Sequence, residues 1–262
     1  KSIQIGYIKL TNRFLDLLVI GSYRFRFSLG VAFCEAIRRG VETVVNRLLR
    51  EVPYDMKVNE TSSLNTNTAL ISAIKSGKMP MINLMLDYYA RYNKDINAEN
   101  ESGQTALQVA IELENVVVVN RLLKFKDIII TITGYERAIQ IGNIEIVHRL
   151  TKHVNVNRHV SFGLTFSAFY GHLNLVNYFL AQPSTDVNFK DDSGRVPLQY
   201  ALEHEHVKIV KRLLKVRTLR ILNSDLVFDL AWRLQDAEII SSIFNHPDFN
   251  IDRPLLHYAF ED

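Results

Sequence analysis

Small residues recur along the chain at intervals of 28 to 37 positions, and each except the last is followed four positions later by glycine or a polar residue. These anchor positions are, in chain order, Ser2, Ala36, Ala73, Ala110, Ala138, Ser167, Ala201, Ala231 and Ala259. An internal period of this size is typical of repeat proteins, in which each unit buries its apolar side against its neighbours.

A fixed set of large apolar residues surrounds each anchor. In the unit of Ala36 these are Phe33, three positions before the anchor, and Val44, Val45 and Leu48, which follow it by eight, nine and twelve positions. Spacings of one, three and four place side chains on one face of a helix. Each unit is therefore predicted to be a short first helix, a turn and a second helix. In four units the predicted end of the first helix is a glycine, the residue that best accepts a left-handed backbone: Gly40, Gly77, Gly142 and Gly171.

Four segments resemble the ankyrin repeat. Residues 95–107 and 186–198 are similar to its turn and finger leading into the Thr-Pro-Leu-His start, residues 171–176 to its Gly-His opening of the second helix, and residues 248–259 to a degraded copy. The resemblance extends over essentially the whole chain. It implies an all-α solenoid of stacked helix-turn-helix units, with about seven full units and partial units at both ends.

The chain also departs from the ankyrin pattern. The capping histidine of the first helix is kept only at His257. We therefore expect the starts of the other first helices to be less well held by capping hydrogen bonds. Residues 51–67 and 87–104 are long and polar, and we expect them to form inserted loops on one side of the stack. Both termini fall inside a first-helix pattern. We therefore expect residues 1–262 to be one repeat domain, cut from a longer chain.

Composition narrows the function. There are 31 basic and 28 acidic residues, so the surplus is too small to indicate a nucleic-acid-binding protein. The densest basic segment runs from Lys208 to Arg220, where an acidic partner would bind if one does. The single cysteine, Cys34, excludes an intrachain disulfide and fits a packing role. No apolar run approaches the length of about 20 residues that a membrane-spanning helix needs.

We find no sequence signature of catalysis. Glycine-rich phosphate loops and the Gly-x-Ser-x-Gly motif are absent, and Cys34 has no base beside it in the sequence. His204 and His206 could join a metal site, but they fall at a helix–turn junction where an ordinary Gly-His pair is expected. We therefore expect no enzyme activity, cofactor or metal.

The resemblance implies that the fingers and the exposed side of the first helices line a groove for another protein. By this analogy, the residues expected to contact the partner are Arg38, Arg39, Asn100, Glu101, Ser102, Tyr170, Asp191, Asp192, Arg195, His204 and Arg233. Aromatic and arginine side chains are common binding hot spots.

Three hypotheses follow. The leading one is a monomeric cytoplasmic adaptor, scaffold or effector that binds a partner protein in the groove. The second is a substrate-recruiting arm of a larger enzyme. The third is a lipid- or nucleic-acid-binding solenoid that uses the segment Lys208 to Arg220. The irregular repeats, rich in Ile and Asn, also resemble ankyrin proteins secreted by intracellular bacteria, or those of protists and large viruses; for such an effector the partner would be a host protein in the host cytoplasm.

Overall fold

The computed structural model describes residues 26–51, 69–100, 102–153 and 156–250. Within these ranges it is all-α, with fourteen helices and no strand. The chain divides into two compact units, an N-terminal unit of residues 1–134 and a C-terminal unit of residues 135–262.

The helices alternate between first and second members of predicted repeat units. The first six are α1 (Arg26–Arg39), α2 (Glu42–Glu51), α3 (Ala69–Ser76), α4 (Met79–Arg91), α5 (Ala106–Glu112) and α6 (Val116–Leu122). The boundary between the two compact units falls inside α7 (Ile132–Ile141). The remaining helices are α8 (Ile144–Thr151), α9 (Val156–Tyr170), α10 (Leu173–Leu180), α11 (Pro197–Glu203), α12 (Val207–Leu214), α13 (Ser224–Arg233) and α14 (Ala237–Phe244).

Each of the seven helix pairs contains one of the predicted anchors. The seven anchors from Ala36 to Ala231 have no exposed surface, because the small side chain lets neighbouring helices approach closely. First helices pack on first helices, as α1 does on α3 and α11 on both α9 and α13. The predicted all-α repeat architecture is confirmed.

A left-handed residue ends the first helix of every described pair. Its φ angle is +72° at Gly40, +66° at Gly77, +82° at Gly142 and +81° at Gly171. At the same position in the other three pairs stand non-glycine residues with φ angles of +51°, +58° and +52°: Glu114, Glu205 and Gln235. The predicted break between the two helices is therefore present even where the sequence has no glycine.

The residue after this turn ties one pair to the preceding pair. In the C-terminal unit, Nε2 of His206 lies 3.1 Å from the backbone oxygen of Phe169, near the end of α9. The imidazole lies so close to Gly171 that a Cβ there would approach it to 2.7 Å. Two features therefore require glycine at position 171: the left-handed φ, and the His206 ring, which leaves no room for a Cβ.

The same contact recurs with other partners. Nε2 of His172 lies 2.8 Å from the backbone oxygen of Gln140. In the N-terminal unit a lysine has this role: Nζ of Lys78 donates to the backbone oxygen of Arg38 at 2.7 Å, and its side chain covers Gly40. At the same position in three other pairs, Asn115, Asn143 and Asp236 instead accept from backbone N–H groups of their own second helices.

An asparagine bridges consecutive loops. The side-chain amide of Asn188 donates to the backbone oxygen of Thr218 at 2.7 Å and accepts from the backbone N–H of Arg220 at 2.7 Å. Its own backbone N–H donates to Asp186 at 2.9 Å, which shapes the turn. Asn97 makes the equivalent pair of bonds in the N-terminal unit. The aspartate of each Asp-x-Asn sequence therefore shapes its own loop, and the asparagine bonds that loop to the next one.

Two expectations need correction. The polar segment 87–104 is not all loop, because α4 continues to Arg91 and buries Tyr88 and Tyr89. Most of the other long segment, 51–67, lies outside the described residues. The helix starts without the capping histidine are also better tied than expected: Gln108 accepts from the backbone N–H of Thr105 at 2.8 Å, and Gln199 accepts from that of Val196 at 3.1 Å.

None of the helices in the described ranges is both long enough and apolar enough to cross a bilayer.

We expect Gly171→Ala to destabilise the fold more than Gly194→Ala. Both glycines have a positive φ, +81° and +74°, which costs an alanine about 1–2 kcal/mol. Only Gly171 is also covered by the His206 ring, since nothing lies within 4 Å of a Cβ built on Gly194. Chemical denaturation measures both costs. Removing the ring by His206→Ala should bring the two costs together, and a difference that survives this change would contradict the account.

We expect Asn188→Ala to expose the amide of Arg220 to hydrogen exchange, whereas Asn188→Asp retains its acceptor and keeps that amide protected. Both substitutions remove the donor to Thr218, so each should lower the free energy of unfolding by about 1–3 kcal/mol. Hydrogen exchange by NMR separates the two variants. Equal protection of Arg220 in both would show that the asparagine bridge does not hold this loop.

Candidate functional site

The exposed side of α1, a first helix of the N-terminal unit, carries a charged cluster. Arg38 and Arg39 are exposed and both pair with Glu35, Arg39 through Nε at 2.5 Å from the carboxylate. The hydrogen bond from Arg39 holds the pKa of Glu35 below its usual range. Both predicted arginines are therefore exposed and share one carboxylate.

The first loop tip is organised by a buried amide. Asn100 is only 7% exposed, and its side-chain oxygen accepts from the backbone N–H groups of Ser102 at 2.9 Å and Gln104 at 2.8 Å. Its role in the structure is to shape the turn. Ser102 is exposed at the tip, and Glu101 lies outside the described residues.

The corresponding tip in the C-terminal unit uses an aspartate. Oδ1 of Asp191 accepts from the backbone N–H groups of Ser193 at 2.9 Å and Arg195 at 3.0 Å, and its other oxygen accepts from the hydroxyl of Tyr200 at 2.5 Å. Asp192 and Arg195 are exposed at this tip. The tip is therefore anchored to α11 by the tyrosine.

Next to this tip, aromatic rings of α9, α11 and the loops adjoining α11 form a continuous surface. We name the following seven residues the aromatic surface: Phe162, Phe166, Phe169, Tyr170, Phe189, Tyr200 and His204. Six are partly exposed and His204 is exposed. Neighbouring ring centroids are 4.5–6.3 Å apart, the range in which aromatic rings attract one another.

Two tyrosine hydroxyls on this surface contact carboxylates. The hydroxyl of Tyr170 donates to Glu136 at 3.2 Å, as that of Tyr200 does to Asp191. Burial, followed by the hydrogen bond to Asp191, raises the pKa of Tyr200 to about 12. Burial and Glu136 also raise the pKa of Tyr170. The aromatic surface thus carries a negative electrostatic environment at both hydroxyls.

A second aromatic pair lies on α13. Trp232 is 48% exposed, and its ring stacks on that of Phe228 with a centroid distance of 5.7 Å. Arg233 beside it is exposed. This places the predicted contact residue Arg233 next to a large apolar side chain that the sequence interpretation did not select.

The two histidines considered for a metal site have other surroundings. The rings of His204 and His206 are stacked with centroids 5.9 Å apart, and His206 is bonded to the Phe169 backbone. Among the described residues no group of three or more His, Cys, Asp or Glu side chains could hold a metal ion. Burial raises the pKa of Cys34, so a smaller fraction of its thiol is ionised at neutral pH.

The basic segment is partly engaged within the protein. Nζ of Lys211 lies 2.9 Å from Asp236 and 2.6 Å from Glu238, and Nε of Arg212 donates to Asn177 at 2.8 Å. Lys208, Lys215, Arg217 and Arg220 are exposed. The segment therefore offers fewer available cations than its sequence suggests.

The N-terminal unit contains a cavity of about 640 Å³ between the C-terminal ends of α4 and α6. Its lining combines the rings of Tyr89 and Phe125 with charged groups of both signs, including Asp87 and Arg121. Arg121 is itself paired with Asp87 at 3.2 Å. Because the charges are mixed, the cavity indicates no particular ligand.

The fold and the exposed first-helix surfaces together define a helical repeat protein. The family model for ankyrin repeats (3 copies) matches residues 33–133 and 136–225. These matches cover well over half of the chain, which therefore belongs to the ankyrin-repeat family. Ankyrin repeats are generally protein–protein interaction modules.

Two solved structures share this fold. The ankyrin repeat domain of Bcl-3, a member of the IkappaB protein family, matches with a TM-score of 0.65 and 18% identity over 81% of this chain and 97% of that chain. A chain in the complex of the Bd0816 predatory endopeptidase from Bdellovibrio bacteriovorus with immunity protein Bd3460 matches with a TM-score of 0.56 and 22% identity over 71% of this chain and 98% of that chain.

We expect Asp191→Asn to lower the pKa of Tyr200, because the substitution removes the negative charge that favours the protonated phenol while leaving burial in place. In the parent, the folded state keeps this proton between about pH 10, where an unfolded tyrosine ionises, and about 12. Protonation of Tyr200 thus favours folding below that window, and the benefit is lost as the pH rises through it.

Titration of the Tyr200 ring carbon by NMR measures this pKa directly. An unchanged Tyr200 pKa in Asp191→Asn would show that the carboxylate does not act on the hydroxyl.

Proposed function

We propose that this chain is a protein-binding module whose partner docks against the exposed side of the first helices and the adjoining loop tips. The observation that carries the proposal is the aromatic surface of the C-terminal unit, where five rings of two first helices adjoin those of Phe189 and His204 in the neighbouring loops. Exposed apolar patches with a polar border are typical of interaction sites. Tyrosine and tryptophan are also enriched among the residues that dominate binding energies.

The predicted contact residues take different parts in this proposal. Tyr170 and His204 belong to the aromatic surface, and Arg195 and Asp192 border it at the loop tip. Arg233 extends the site to α13 beside Trp232. Arg38, Arg39 and Ser102 belong to the N-terminal unit, where they offer a separate set of polar contacts. Asn100 and Asp191 shape the tips that present their neighbours.

In the cell, the chain then acts as an adaptor or effector that binds a partner protein without catalysing a reaction on it. The partner is then held in the cytoplasm by a surface whose shape is fixed by the repeat stack. Related folds in the ankyrin family support a binding role.

A comparative capture experiment tests which surface is used. We expect a partner retained by the parent chain to be lost from the variant with Tyr170→Ala, His204→Ala and Arg233→Ala, since three proposed contacts are removed together. The matched control carries Lys208→Ala, Lys215→Ala and Arg217→Ala, which remove exposed cations of the basic segment. Proteins captured from a eukaryotic lysate by each form are identified by mass spectrometry, and circular dichroism verifies the fold of each.

Retention by the control and loss by the first variant would support docking on the first helices. The reverse pattern would refute this surface and favour an acidic ligand of the basic segment, whose binding then weakens with salt. A protein retained equally by all three forms would also contradict the proposal.

A further inference from the structure

The aromatic surface has a centre. Three rings stand steeply on that of Phe169: Tyr170 at 89° and 4.8 Å between centroids, Tyr200 at 86° and 5.4 Å, and His204 at 71° and 4.5 Å. Rings at such angles around one side chain offer both edges and faces to a partner group. Faces of aromatic rings attract cations, and arginine most often.

A guanidinium group already lies on this surface. The central carbon of the Arg195 guanidinium is 5.6 Å from the ring centroid of Tyr200, within the range of a cation–π contact. The same guanidinium donates to Glu203 at 2.9 Å. The side chain of Arg195 is 48% exposed, so this internal arrangement is weakly held and open to exchange.

Carboxylates adjoin both tyrosine hydroxyls. Three carboxylates act on the two tyrosine hydroxyls, those of Glu136, Asp191 and Glu203. They are opposed by two guanidinium groups, those of Arg137 and Arg195. Burial is the largest cause of the raised pKa of each tyrosine, and the carboxylates add to it.

We propose that the aromatic surface binds an arginine side chain of the partner protein, whose guanidinium group replaces that of Arg195 on the ring face of Tyr200 and beside the carboxylate of Glu203. This inference rests on the proposed function, since it specifies the chemistry of the partner segment in the same groove. Arg195 is the internal group that shows how such a guanidinium is held.

A neutral apolar segment fits the observations less well. Rings alone would accept it, but the carboxylates beside them would lose hydration without gaining a partner. An acidic segment would meet like charge at Glu136 and Glu203. Arginine satisfies the rings through its planar face and the carboxylates through its N–H groups.

The test uses the whole chain with two short probes, the capped peptide Gly-Arg-Gly and its analogue in which citrulline replaces arginine. Citrulline has nearly the same shape but carries no charge. Binding is followed by the aromatic ring signals of the protein in NMR titrations. We expect the arginine probe to shift the rings of Phe169, Tyr170 and Tyr200 and to bind about two- to fivefold more tightly than the citrulline probe, the gain that an exposed cation–π contact provides.

Two substitutions at one position separate the ring from its hydroxyl. Tyr200→Phe keeps the ring face and should retain the preference for arginine, whereas Tyr200→Leu removes the face and should abolish it. Arg195→Ala removes the internal guanidinium and should strengthen binding of the arginine probe. This third variant keeps the test decisive if Tyr200→Leu does not fold.

Equal affinity for both probes, or arginine-specific shifts confined to other parts of the chain, would overturn the inference. If that result accompanies partner capture that depends on Tyr170 and His204, protein binding by the groove stands and only its arginine specificity is lost. A third result is also informative: the rings prefer the arginine probe, but partner capture depends on the basic segment. The arginine site would then stand, and the proposed docking surface would be refuted.

Discussion

The structure depends on a left-handed turn at the end of each first helix. This turn reverses the chain so that the second helix packs on the first, and it places the following side chain over the preceding pair. His172, His206 and Lys78 then reach a backbone oxygen of that preceding pair. Neither helix of a pair can bury its apolar side alone, so the turn that brings the two helices together is needed in every described pair, and in three of them the following side chain also bonds to the preceding pair. The exposed first-helix surfaces are held in place by the same contacts.

Much of this architecture could be predicted from the sequence, because small anchors and apolar residues at helical spacing record which faces are buried. The glycines at 40, 77, 142 and 171 also identified the turn directly. The turns at Glu114, Glu205 and Gln235 had weaker signals, since a non-glycine residue adopts positive φ only when tertiary packing imposes it. The continuation of α4 through Arg91 was missed because it was grouped with the polar residues that follow it.

The candidate site was predictable only in part. Analogy with ankyrin repeats located Tyr170, Arg195 and His204 on one side of the C-terminal unit, and the structure places all three at or beside the aromatic surface. Phe162 and Phe166 were not selected, although their spacing of four residues up to Tyr170 marks one helix face. The roles of Asn100 and Asp191 could not be read from composition, since an exposed tip and a buried turn use the same polar residues.

A photoreactive benzophenone side chain introduced at one position tests most directly whether the partner meets the first helices. Phe166 lies on the aromatic surface, and Lys208 is exposed on the second helix α12. The account predicts that a probe at Phe166 crosslinks to a partner protein in a cell lysate, whereas a probe at Lys208 does not. Crosslinking from Lys208 with none from Phe166 would contradict docking on the first-helix side.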